Sequence, residues 1–140
     1  MNIRLTIGDW DTQRSDAQMI RYEVFVVEQK VPLEMEWDEM DRECVHAVAY
    51  DAGKAVATGR LLPDGHIGRM AVVKAMRGQG VGGAVLQALM SEARKRGDPA
   101  VLLHAQSHAE QFYRRFGFVQ EGEEFMEAGI PHITMRHAFR

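Results

Sequence analysis

Arg77-Gly78-Gln79-Gly80-Val81-Gly82-Gly83 joins bare main-chain amides to a charged guanidinium within one short stretch, a combination suited to gripping a phosphate. Glycines without a Cβ let successive backbone N–H groups turn toward one anion. With a helix starting near Gly80, the free N–H groups of its first turn add partial positive charge at the same point, and Arg77 supplies a further charged donor. Other phosphate loops share part of the pattern. Gly78-x-Gly80-x-x-Gly83 satisfies the dinucleotide fingerprint, but the acidic residue expected about 20 positions later, at the end of the next strand, is replaced by His104, Ala105 and Gln106. A Walker A loop needs a Lys-Ser/Thr pair where Ala84 and Val85 stand. A tight strand-to-helix turn also uses glycine, yet Gly78, Gly80, Gly82 and Gly83 after an arginine exceed what a turn requires.

The elements that hold this loop follow from hydrophobic periodicity. Alternation at Ile3, Leu5 and Ile7 predicts a strand, and Ala17, Ile20, Val24 and Val27 recur at helical spacing over about Thr12 to Glu28. Lys30 to Glu43 has no clean period and reads as a long loop with room for a helical turn. Strands over Val45 to Tyr50 and Ala55 to Leu62 are joined by the turn signal Asp51-Ala52-Gly53-Lys54, and Pro63-Asp64-Gly65 turns the chain into a strand from Ile67 to Val73. A helix from Gly80 to Arg96, stopped by Gly97, is followed by a strand at Ala100 to Ala105 and a helix over Ser107 to Phe116. Strands around Phe118 to Phe125 and His132 to His137 end the order β-α-β-β-β-α-β-α-β-β. A meander followed by a β-α-β crossover predicts an α/β chain of the α+β type, with a mixed, mostly antiparallel sheet flanked by helices.

At 140 residues, with 46% hydrophobic and 26% charged side chains, the sequence suits a single domain over residues 1–140. A net charge of −3 speaks against nucleic-acid binding. No apolar run approaches a membrane span and Met1-Asn2-Ile3-Arg4 leads into an alternating strand, so a cytoplasmic protein is expected. Cys44 is the only cysteine; it reads as a packed side chain, not a nucleophile.

The loop Arg77-x-x-Gly80-x-Gly82 resembles the acyl-CoA pyrophosphate loop of the GNAT superfamily of N-acetyltransferases. Downstream, Ala109-Glu110-Gln111-Phe112-Tyr113-Arg114-Arg115-Phe116-Gly117-Phe118 is similar to the GNAT segment after the fifth strand. Val24-Phe25-Val26-Val27-Glu28-Gln29 and Ala128-Gly129-Ile130-Pro131-His132 resemble the ElaA-like subgroup, which extends the match over nearly the whole chain.

The resemblance implies a fold in which the fourth and fifth strands splay to admit pantetheine, and an acetyl-CoA-dependent N-acetyltransferase that needs no metal. It implies that the backbone of Met70, Ala71 and Val72 pairs with pantetheine and polarises the thioester, with Arg77, Gly78, Gln79, Gly80, Val81, Gly82 and Gly83 at the pyrophosphate. Gln106, where many relatives have asparagine, and Phe112 fall at the cofactor as well. Tyr113 matches the tyrosine that protonates the CoA thiolate, a step for which a phenol is well suited. Glu28 and His132 are the candidate bases, with His46 a further histidine able to face the pocket from its strand. His104 and His108 straddle a strand-to-helix junction and do not form a helical zinc pair.

From Glu28 to Glu43 the acids Glu28, Glu34, Glu36, Asp38, Glu39, Asp41 and Glu43 outweigh Lys30 and Arg42. Such a patch would draw a small cationic amine as acceptor; equally, it is an acidic solvated loop. A noncatalytic acyl-CoA-binding sensor is the alternative to the enzyme, and the exposed edges of the last strands offer a route to a homodimer.

Overall fold

A computed structural model describes residues 2–36 and 38–139. A meander of β1 (Ile3–Gly8), β2 (Val45–Asp51), β3 (Lys54–Leu61) and β4 (Ile67–Val72) makes the first sheet, all its pairs antiparallel. Its β2–β3 turn uses Ala52 and Gly53, both at positive φ, as a two-residue hairpin of this twist requires. The second sheet is built on β8 (Ile130–Ala138), which pairs with β5 (Ala100–Gln106) and with two short strands, β6 (Val119–Gln120) and β7 (Phe125–Glu127). The single strand expected over Phe118 to Phe125 is thus two pieces, separated by a bend with Gly122 at φ 87°.

Alternation along β2 explains the layers. Ala47 and Ala49 face α3 (Val81–Lys95) with Val85, Leu86 and Leu89, while Val48 faces α1 (Trp10–Arg21) with Ala17 and Ile20. Small residues in the central strands let the helices cover both faces of the first sheet. The helix expected to Glu28 does continue, but from Tyr22 to Glu28 it is π-helical, with Gln29 N–H donating to Val24 O. Segments of this kind occur often at functional sites, and this one turns Phe25 and Gln29 toward the cavity described below. The loop region folds into a short α2 (Leu33–Glu36) and a 3₁₀ turn at Glu39–Glu43. After β5, a 3₁₀ turn leads into α4 (Glu110–Arg114), shorter than the helix expected there. No helix among the described residues is long and apolar enough to cross a membrane.

The two sheets touch at one edge. His66 and Leu102 form an isolated parallel bridge, with Leu102 N–H donating to Gly65 O, and beyond it β4 and β5 share no further ladder among the described residues. The sheet is therefore mixed, as expected, and it opens between its fourth and fifth strands.

Candidate active site

Where β4 and β5 part, a cavity of about 760 Å³ opens. Its wall takes Arg69 and Met70 from β4, His104 and Gln106 from β5, Tyr113 from α4 and His132 from β8. β4 carries a bulge here: Thr58 pairs with Ala71 but Arg60 with Gly68, so β4 has one more residue than β3, and Arg69 sits at φ 50°. Ala71 is buried in the α1 core and is paired with Thr58 of β3, so it offers a ligand no side chain. Val73 N–H donates to Val56 O, and strand alternation turns the amide of Val72 the other way, toward the open side.

The loop after β4 ends in the N-terminus of α3. Gly78 and Gly80 hold φ of 77° and 82°, and a Cβ added at either would meet nothing within 4 Å, so conformation rather than space selects glycine. Gly83 is different: a Cβ there would lie 2.7 Å from Phe116 Cζ, which locks α3 against the aromatic cluster of α4. Ala84 N–H donates to Gly80 O, the first bond of the helix, and helix geometry leaves the amides of Val81, Gly82 and Gly83 without intrahelical partners. Gln79 and the loop glycines 78 and 80 are exposed. This cradle of bare amides fits a diphosphate.

Arg77 does not stand free beside the loop. Its Nε donates to Val72 O at 3.0 Å and its fork grips Glu28, with Nη2 2.6 Å from Oε1. That bond holds the Glu28 carboxyl below its usual range. Glu28 and Arg77 therefore tie the π-helical segment to the strand end next to the loop, and a carboxylate kept ionised by a guanidinium makes a poor proton acceptor.

Acid and base candidates meet in the cavity instead. Burial raises the Tyr113 phenol to about 12, and among the described residues its hydroxyl has no hydrogen-bond partner. Phe112 and Phe118 fix the ring edge-on, at centroid distances of 5.0 and 6.0 Å. His132 Nδ1 lies 2.7 Å from Ile130 O, so this nitrogen carries the proton and donates, leaving Nε2 as the basic atom. Glu127 Oε2 is 3.6 Å from that Nε2, and Oε1 is 3.1 Å from His104 Nδ1. Glu127 reaches this place because Ala128 and Gly129, at φ 52° and 74°, make the tight turn between β7 and β8. Glu127 carries no signal of its own in the sequence, although it directly precedes the Ala128 to His132 segment that resembles the ElaA-like subgroup.

The acetyltransferase (GNAT) domain family matches residues 11–139. The chain belongs to the GNAT acetyltransferase family. It is 41% identical over 137 residues to the uncharacterised N-acetyltransferase YjcF of Bacillus subtilis, an alignment that spans 95% of this chain and 98% of that one. Among solved structures it is similar to an acyl-CoA N-acyltransferase of Pseudomonas aeruginosa (35% identity, TM-score 0.87, 98% of this chain and 100% of that one). It is also similar to ElaA of Escherichia coli (31% identity, TM-score 0.85, 97% and 99%). The GNAT protein is thus an acyl-CoA-dependent N-acyltransferase, with acyl-CoA as co-substrate.

Arginines pair with four of the seven acids between Glu28 and Glu43, three of them behind one wall of the GNAT cavity. Arg21, only 1% exposed, donates from Nε to Glu36 and from Nη1 and Nη2 to the two oxygens of Asp41 at 2.9 and 3.0 Å. Arg60 donates to Asp41 at 2.9 Å and to Asp38 at 2.7 Å. Glu28, Glu36, Asp38 and Asp41 are thereby spent on arginines and do not form a free field for a cation. His46 also leaves the site: it is buried under Trp10, ring centroids 4.7 Å apart, and its Nε2–H donates to Asp41 O. Burial holds its ring below the usual histidine value, against the pull of that hydrogen bond. Cys44 is inert, its thiol raised by burial to about 11 and bonded to Met40 O.

Proposed function

We propose that residues 1–140 form one cytoplasmic catalytic domain that moves an acetyl group from acetyl-CoA to a small primary amine, cationic until it reacts, by direct transfer in a ternary complex. One observation carries this reading: Tyr113 from α4, His132 from β8 and Met70 from β4 line a single cavity. In this reading the amides of Gly78 to Gly83 hold the pyrophosphate and the open edge of β4 from Met70 to Val72 takes pantetheine as one more strand, with Phe112 and Gln106 beside it.

His132 Nε2 accepts the proton that the amine sheds, and Glu127 next to it favours the imidazolium that results. The amine nitrogen then bonds to the acyl carbon, a β4 amide steadies the carbonyl oxygen as charge builds there, the nitrogen releases its surplus proton to water, and the C–S bond breaks. Tyr113 gives its proton to the departing thiolate, and transfer from imidazolium to phenolate through solvent restores both groups. Glu28 and Arg77 act as a strut that sets the loop beside the strand end, not as base and phosphate ligand.

Free CoA release measured with acetyl-CoA across an amine panel tests the proposal. Tyr113→Phe is expected to cut turnover while leaving acetyl-CoA affinity unchanged. CoA binding without acetylation of any amine would leave a noncatalytic acyl-CoA sensor in its place.

A further inference from the structure

Arg69 is the least satisfied charge in the cavity wall. The acids around it are committed elsewhere: Glu36 to Arg21, Asp41 to both Arg21 and Arg60, and Asp38 to Arg60 and the amide of Met40. Arg69 is left with one long contact, Nη2 to Asp38 at 3.4 Å, and its buried Nε has no hydrogen-bond partner. The Nε of Arg60, a side chain only 7% exposed that lines the same cavity, is likewise unpaired. A buried guanidinium donor without an acceptor is costly, the more so for a charged group, and an arginine at φ 50° adds backbone strain. Burial first, then repulsion from Arg60 and Arg21, lowers the pKa of Arg69, as befits a cation short of a counter-ion.

We infer that Arg69, backed by Arg60, is a carboxylate subsite, and that the acceptor is an amino acid whose carboxylate docks there while its amine faces His132. The inference rests on the acyltransferase reading above. A guanidinium fork matches a carboxylate in two parallel bonds, and ion-pair chemistry of this kind is what the unpaired donors lack. Arg69 directly precedes Met70, at whose backbone the acyl group is read to lie, and both line the same cavity as His132. Phe25, Val31, Met35 and Ile130 line the remaining cavity and suit an apolar side chain on that amino acid.

The test compares kcat/KM for the standard α-amino acids, each beside its carboxamide, in the wild-type protein, Arg69→Met and Arg69→Lys. The wild type is expected to favour the best amino acid over its carboxamide by about tenfold or more, a site built for a charge rejecting the ligand that lacks it. Arg69→Met should bring that ratio near one and Arg69→Lys restore part of it, with KM for acetyl-CoA unchanged in both. Equal use of the pair by the wild type, or an unchanged ratio in Arg69→Met, overturns the subsite.

Should no amine be acetylated, the acyltransferase reading fails and the subsite is judged by binding alone. N-Acetylated amino acids, with CoA present, should then raise the melting temperature of the wild type and not of Arg69→Met. No shift in the wild type counts against the subsite itself.

Discussion

The glycine loop before α3 and the arginine wall beside the cavity are built on opposite plans. From Gly78 to Gly83 the donors are backbone amides, and their direction is set by φ angles and by the helix that begins among them. The contacts are short in sequence and carry no side-chain charge. The wall is made of side chains brought from far apart: Arg21, Glu36, Asp41, Arg60 and Arg69 come from the first helix, the loop region and two strands, and His132 and Glu127 from the last hairpin. In the proposed reading, a loop of the first kind takes what every acyl-CoA shares. A wall of the second kind can be rebuilt residue by residue, which is where acceptor choice belongs.

Damage should therefore differ in kind between the two regions. Asp41→Ala removes the buried carboxylate that Arg21 and Arg60 share, leaving each with one acid, and is expected to cost about 3–5 kcal/mol in denaturant unfolding. A loss under about 1 kcal/mol would mean that the wall is not held by its ion pairs. His132→Gln and Tyr113→Phe should each lower kcat about 100-fold with acetyl-CoA affinity preserved, since removing one general acid or base forfeits that order of rate. Rates within threefold of wild type would move the proton chemistry to water. Gly80→Val forces a β-branched side chain to φ 82° and is expected to weaken CoA binding about 30-fold by calorimetry, equivalent to about 2 kcal/mol, with kcat at saturation little changed.

The smallest effect is one of pH. Burial lowers the folded-state pKa of His46, so its stabilising contribution is complete above the unfolded value of about 6.5 and is lost as pH falls toward the folded value. The melting temperature should drop between pH 7.5 and 5.5, and His46→Gln, which keeps a donor for Asp41 O but cannot titrate, should flatten that drop. A slope unchanged in the variant would assign the acid sensitivity to other groups.

Much of the architecture could be read before folding. The hairpin at Ala52-Gly53, the helix opened by Gly80 and the meander ahead of a crossover all follow from residues adjacent in sequence, and each formed within a few positions of its expected bounds. Legibility failed where two descriptions share one periodicity. A helical spacing from Ala17 to Val27 does not distinguish α from π winding, and the break near Gly122 splits a run that reads as one strand.

The sequence by itself determined the shape of the glycine loop, because glycine spacing and a helix start act over one turn of chain and need no partner. Only the tertiary structure decided which charges are free. Arg77 and Glu28 stand 49 residues apart and neutralise each other, while Arg69 is left short of a partner because Arg21 and Arg60 take its acids. Coulomb and hydrogen-bond pairing depend on separation in space, and proximity among residues distant in the chain is fixed by packing, not by composition.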